Sequence, residues 1–495
     1  MYRVAWAALL SAAAFAGSFG LHPFYDDWVV PSHAATALAT GTVGEFLASF
    51  TGYHWSPAWN LAALINVRFA GLHDDILIRS FTLAVYLASL FWFARLAPAF
   101  GASGPAVTVA LGVLGLHHVR AAALYSFDTY SQVAVDLASW VSAGMAYLAL
   151  IGGAGPRDAR LVWAVAIALL ALLMKEQALA GVACLLGLTV WAWWSAREPA
   201  DRRRALVLAT VLALGTLAFA AARHAAGARF DDAGVHALCL SCIPANMGLL
   251  AAAVVLPFRT LWVVDAWRAM PHDAIALVVA GGAAAVLVAG VASGCRRQWS
   301  AGGRRQVGVA LCFFFFLLAG VPVVALGRVG ELHAHTLVFW FAMLVAIAAT
   351  HWQRALATVW QRGMAAVVCI AYLASLGTGL RANLGDMRET GARAGLWRAR
   401  FESAARDLPP GSTVLVGGQP ERAPGDYSLY RMTSPEDLVL LWLWGTQPPD
   451  GGGPEIALES SAFDRARLAG AGARGPVFEL QRSEQGLWFV RTAYR

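Results

Sequence analysis

Apolar runs of roughly 17–25 residues recur through most of the chain, broken by short polar or arginine-bearing loops, which is the pattern of helices crossing a hydrocarbon layer about 30 Å thick. They lie near 4–21, 75–95, 104–118, 131–152, 161–174, 177–195, 205–222, 273–294, 307–327, 336–350 and 363–381, predicting about eleven transmembrane helices. An odd count puts the two termini on opposite sides of the bilayer. The stretch 161–194 would reach about 50 Å as a single helix, so a turn is expected at Lys175-Glu176-Gln177. Region 225–272 breaks the rhythm, because its apolar run at 247–256 is short and is followed by Pro257, Arg259, Asp265, Arg268 and Pro271. It reads as a re-entrant or interfacial helix pair. An amphipathic helix is expected on the membrane surface at about 31–50.

From 382 onward the chain turns charged and rich in Pro and Gly, too poor in apolar runs to cross again. A helix at about 386–407, a strand at Ser412–Val416 and another at 486–491 predict a small soluble α/β or α+β domain. The division is thus an all-α polytopic membrane domain over 1–381 and a soluble domain over 382–495.

Composition agrees: of 495 residues 59% are hydrophobic and 14% charged, with a mean hydropathy of +0.58. A soluble protein of this length cannot hide that much apolar surface. The net charge of +7 does not point to nucleic acid, since the arginines sit in loops between apolar runs instead of forming a patch with interleaved aromatics. They mark topology. With the N-terminus in the cytoplasm, Arg95, Arg157, Arg160, Arg197, Arg202–Arg204, Arg296, Arg297, Arg304, Arg305, Arg354 and Arg362 all fall in cytoplasmic loops, while 22–56 carries no Lys or Arg. The terminal domain is then periplasmic, on a bacterial inner membrane. No small-residue cleavage site follows residues 4–20, so the first crossing is expected to stay.

The remaining ionisable residues gather at the opposite face from these loops. Asp26 and Asp27 open the first outer loop in His22-Pro-Phe-Tyr-Asp-Asp-Trp28; His117, His118 and Arg120 close the third crossing; Lys175 and Glu176 sit between the fifth and sixth; Arg328, Glu331, His333 and His335 fill the ninth-to-tenth loop. Ionisable groups beside hydrocarbon are costly, so a cluster at one depth marks a site. Lys175 stands out as the only lysine, the other 36 of the 37 basic residues being arginine. An ammonium is a compact three-donor charge suited to phosphate, although a snorkelling anchor at a helix end uses the same residue. A carboxylate of the Asp26-Asp27 pair can serve as general base toward an acceptor hydroxyl or simply cap the next helix. His54, in Tyr53-His54-Trp55-Ser56-Pro57, and Arg79 lie further along the same region. Adjacent histidines point about 100° apart on a helix and chelate a metal poorly together.

The order of these features resembles the GT-C superfamily of membrane glycosyltransferases, which includes the protein O-mannosyltransferases and the lipid A aminoarabinose transferase; the resemblance covers about 1–381. An acidic pair opens the first external loop there, as Asp26-Asp27 does, and an amphipathic helix follows. Tyr53–Pro57 with Arg68-Phe69-Ala70-Gly71-Leu72 looks like the segment entering the family's second crossing. Leu172-Leu173-Met174-Lys175-Glu176 is similar to the Ser-Lys-Glu signature of the eukaryotic O-mannosyltransferase branch, with Met174 in place of serine, and Glu331–His335 stands where that branch has Ala-Glu-Arg-Tyr. The resemblance implies that Asp26 or Asp27 is the catalytic base or acceptor-binding acid. It also implies that Lys175, with Glu176, His117, His118, Arg120 or Arg328, holds the phosphate of a polyprenyl-phosphate sugar, and that the acceptor is a glycan, lipid or protein of the cell envelope. His22, His54, Glu331 and His333 are further site candidates.

No cofactor is expected. No Walker motif or Gly-rich phosphate loop is present, and no spaced ligand set calls for a metal beyond a weakly held divalent ion. Cys239 and Cys242 form a lone C-x-x-C, read either as an external disulfide or as two loop thiols. The rival readings are a transporter or lipid flippase, a polysaccharide ligase or polymerase, and an inactive scaffold.

Overall fold

The computed structural model describes residues 2–17, 19, 29–49, 55–72, 76–121, 130–151, 158–226, 239–260, 274–300, 303–326, 329, 331–405, 408, 413–416, 455–458, 477–483 and 486–491. His22, Asp26, Asp27, His54 and Arg328 fall outside these residues, as does the side chain of Glu331.

The helices are α1 (Tyr2–Ala16), α2 (Val29–Thr40), α3 (Val43–Ala48), α4 (Pro57–Ala70), α5 (Ile76–Leu96), α6 (Gly104–Leu116), α7 (Tyr130–Ile151), α8 (Ala159–Leu172), α9 (Ala178–Ser195), α10 (Pro199–Ala225), α11 (Ile243–Val255), α12 (Ala274–Ser300), α13 (Gly303–Val324), α14 (Glu331–Ala355) and α15 (Val359–Ala405). Every apolar run marked as a crossing is helical. Among the described residues, six helices are long and apolar enough to cross a membrane, and five shorter apolar helices accompany them. Local signals set their ends. Pro opens α4, α6, α10 and α11 in the first turn, where its missing N–H costs nothing. Asp158 caps α8 by accepting from the Arg160 N–H at 2.8 Å, and its side-chain pairing with Arg160 holds that carboxyl below its usual range.

Three expectations are revised. The single amphipathic helix at about 31–50 is two, because the chain turns at Gly41 with φ +75, a conformation that a Cβ disfavours. An additional helix, α4, precedes α5; it begins at Pro57 and stops at Gly71, φ +93. The last crossing and the helix at 386–407 are one 47-residue helix, α15, about 70 Å long. No proline interrupts 359–405, so the change of composition near 382 changes the surroundings of the helix and not its backbone. After α15 come β1 (Thr413–Val416), β2 (Glu455–Leu458), β3 (Val477–Ser483) and β4 (Gly486–Arg491), in a mixed sheet of order β2-β1-β3-β4. β1 is parallel to both neighbours, and β3 and β4 form an antiparallel pair.

The bundle has two chemically distinct ends. At one, Ser103 N–H donates to Thr350 Oγ1 at 2.8 Å, Ser103 Oγ donates to Gln353, and Phe100 stacks on Tyr147 with centroids 4.0 Å apart. Arg95, Arg160, Arg202 and Arg354 belong to this end. At the other end meet the C-termini of α6, α8 and α13 and the N-termini of α7, α9 and α14. Helix α11 stays there: Asn246 at its start donates to Val324 O and Leu326 O (2.9 and 2.8 Å), and Val254 O near its end meets His117. Both ends of residues 243–255 thus lie at this one end of the bundle.

Close packing of α12 on α14 depends on Gly294, where a Cβ would lie 2.6 Å from the backbone Cα of Ala348. Gly294→Ala should therefore lower stability by about 1–3 kcal/mol, whereas Gly290→Ala, with open space around its position, should not. Tryptophan-fluorescence melting of the detergent-solubilised protein compares the two; equal midpoints would refute the close approach.

Candidate active site

Three cations are buried at the end opposite the arginine loops: Arg79 near the start of α5, and the two described next. The first of these two is Lys175. α8 closes as Leu173 N–H and Met174 N–H donate to Leu170 O and Ala171 O (3.1 and 3.0 Å), and α9 opens as Ala178 N–H donates to Lys175 O at 3.1 Å. The turn falls where the length argument placed it. Only 4% of Lys175 is exposed, and its Nζ stands 5.8 Å from the centroid of the Trp59 ring. Trp59 is fixed from both sides: Ala58 N–H donates to Leu173 O at 3.0 Å, and Tyr130 Oη donates to Trp59 O at 2.6 Å. Among the described residues no carboxylate or hydrogen-bond acceptor approaches the Lys175 ammonium. Its neighbour Glu176 is engaged elsewhere, 3.1 Å from the Arg223 Nε at the end of α10.

The second cation is Arg120, fully buried just after α6. Its Nη1 lies 3.3 Å from His335 Nε2, and His335 Nδ1 lies 2.5 Å from Asp136 Oδ2. Arginine can only donate, so Nε2 accepts, the ring proton is on Nδ1, and Asp136 must be an ionised acceptor. Two further donors complete the carboxylate: Thr336 Oγ1 at 2.6 Å and Gln132 Nε2 at 2.9 Å, both to Oδ1. The guanidinium also lies over the Tyr86 ring at 4.7 Å, and Tyr86 Oη donates to Gly115 O at 3.1 Å. Trp140 stacks on His335 and Phe339, closing the apolar side. Tyr130 and Asp136 are six residues apart on α7, about 9 Å along its axis, so one helix anchors the surroundings of both cations.

His117 and His118, both fully buried, follow α6 beside this group. His117 Nε2 donates to Val254 O at 2.9 Å, and the His118 carbonyl accepts from Asn383 Nδ2 at 3.1 Å. Arg259 Nε in turn donates to Asn383 Oδ1 at 2.6 Å, and its Nη2 pairs with Asp386. Among the described residues no three His, Cys, Asp or Glu side chains converge to hold a metal ion. Cys239 and Cys242 are joined by a disulfide at this same end, and Cys239 N–H donates to Ala325 O at 2.7 Å.

This architecture is shared with two crystal structures of ArnT from Cupriavidus metallidurans. One, bound to undecaprenyl phosphate, aligns over 97% of this chain and 94% of its own at 13% identity with a TM-score of 0.51; the apo form aligns over 98% and 94% at 12% identity and the same TM-score. The chain has the fold of these ArnT structures. No protein-family model and no curated protein matches the sequence.

Of the GT-C-type site residues expected from the sequence, Lys175 and Arg120 are buried cations, and Glu176, His117 and His118 adjoin them in the chain. His333 is half-buried near the start of α14. His335, expected in a loop, lies inside α14 because that helix begins at Glu331. Asp136, Gln132, Thr336, Tyr86 and Trp59 escaped the sequence reading. One signal was available for Asp136: it is the only acidic residue inside a predicted crossing and away from its ends.

Asp136→Ala leaves Arg120 without a counter-charge and should destabilise the protein by about 3–5 kcal/mol. Glu389→Ala, which breaks the exposed Arg393 pair on α15, should change stability by less than about 0.5 kcal/mol. A melting comparison in which the two variants behave alike would contradict the central role of Asp136.

Proposed function

We propose that the chain is an integral membrane glycosyltransferase that moves a sugar from a polyprenyl-phosphate donor to an acceptor hydroxyl on the outer face of a bacterial inner membrane. The observation that carries this reading is the burial of Lys175 and Arg120 at one end of a GT-C fold, above all Lys175, whose ammonium has no anionic partner among the described residues. A buried unpaired charge is costly, so an arriving phosphate is strongly favoured there. The likeness to a fold crystallised with undecaprenyl phosphate supports the same ligand class.

In this reading Asp26 or Asp27 takes the proton of the acceptor hydroxyl, whose oxygen attacks the anomeric carbon. The bond from that carbon to the phosphate oxygen breaks with inversion, and Lys175 and Arg120 stabilise the charge that collects on the departing lipid phosphate. Arg328, His333, Glu331, His22 and His54 are the further site candidates of this reading. The terminal sheet serves as an acceptor platform for a glycan, lipid or protein. A disulfide suits an oxidising compartment, and with the arginine loops at the opposite end it supports the placement of the site outside the cytoplasm.

Transfer of radiolabelled sugar from polyprenyl-phosphate donors to membrane extracts should fall by at least about a hundredfold in Asp26→Asn or Asp27→Asn and by about tenfold or more in Lys175→Gln. Unchanged transfer in all three removes the site assignment. Sidedness has its own measurement: in intact spheroplasts, an impermeant phosphine followed by an impermeant maleimide should label Cys239 and Cys242. Labelling confined to inverted vesicles would turn the site end toward the cytoplasm.

A further inference from the structure

Arg120 presents its three nitrogens unequally. Nη1 is committed to His335 Nε2, whereas Nε and Nη2, fully buried, have no hydrogen-bond partner among the described residues. Nε–H and Nη2–H lie side by side on one edge of the guanidinium plane, the fork that matches two oxygens of one phosphate. A plane is fixed by its contacts, and here the Tyr86 ring meets the guanidinium at 4.7 Å while the acceptor at His335 sets the in-plane rotation. That acceptor exists in only one tautomer. If the imidazole proton moved to Nε2, two donors would face each other and Nη1 would be driven away. The Asp136 carboxylate prevents this by drawing the proton to Nδ1, and Thr336 and Gln132, which both donate to Oδ1, keep Oδ2 turned to the ring.

We infer that Asp136 and His335 are positioning residues, which lock Arg120 so that its Nε and Nη2 edge receives two oxygens of the donor's phosphate. The inference rests on the proposed transferase reading and adds to it the device that orients one of its cations. Neither residue touches the lipid phosphate. Their effect is on binding, through the direction of the Arg120 fork, and it is separable from the loss of packing that any change at a buried histidine brings.

Two substitutions at position 335 separate orientation from packing. Gln sets an amide oxygen about where Nε2 stands and keeps an acceptor for Arg120. Asn places its amide near Nδ1, keeping a donor for Asp136 and leaving Nη1 without a partner. Both lose the imidazole stacked on Trp140, so both should melt lower by similar amounts. Undecaprenyl phosphate binding to the full-length protein in nanodiscs, with undecaprenol as the neutral control, gives the readout. His335→Gln should keep the wild-type Kd within about threefold, while His335→Asn and Arg120→Lys should weaken it roughly tenfold or more. Equal Kd values for His335→Gln and His335→Asn, whether both intact or both lost, would overturn the positioning role and leave the transferase reading standing. A wild-type protein that binds undecaprenol as well as undecaprenyl phosphate would overturn both.

Discussion

A guanidinium fully buried in an apolar helix bundle must draw much of its stabilisation from the protein around it. Arg120 does so through a chain of donors and acceptors that runs from the end of α6 to His335 on α14 and Asp136 on α7, with the Tyr86 ring of α5 beneath it. Each link admits one arrangement: arginine donates, so histidine accepts; histidine then donates, so the carboxylate is ionised. Four helices are thereby fixed at one height relative to each other. The choice is specific in the way buried polar networks are, since a shift of any helix by one residue would break its link.

The second cation is held differently, and the contrast is informative. Lys175 sits on a tight reversal between α8 and α9, covered by the short helices α2 to α4, whose own small core includes Val30, Phe46, Trp59, Leu64 and Tyr130. These helices do not cross the bundle; they form a lid of apolar side chains over one of its ends. Glu176, adjacent to Lys175 in sequence, is drawn away by Arg223, so the lysine keeps its charge uncompensated by its neighbour. One buried cation is therefore rigidly oriented by a carboxylate it does not touch, and the other is a point charge against an aromatic face. A fork and a point charge are complementary ways to grip one tetrahedral anion.

Helix α15 joins this end to the terminal sheet. Asn383 and Asp386 on α15 are both held by Arg259, and Asn383 also donates to the carbonyl of His118, two residues from Arg120. α15 continues as a single helix to Ala405, eight residues before the first strand of the sheet.

The membrane class, the helical segments, the turn at Lys175 and the placing of Lys175 and Arg120 at one end were all written in the sequence, because each follows from local quantities. A hydrocarbon layer fixes the length of an apolar run, and the cost of charge in it fixes where lysine and histidine are tolerated. Helix continuity at 382, the division at Gly41 and the start of α14 ahead of His335 were misread, since composition reports the surroundings of a segment better than its backbone. What only the tertiary structure decided is pairing. Asp136, His335 and Arg120 lie up to 215 positions apart, and nothing in their local sequence tells which carboxylate meets which imidazole. That is settled where the helices converge and bring one carboxylate, one imidazole and one guanidinium within hydrogen-bond reach.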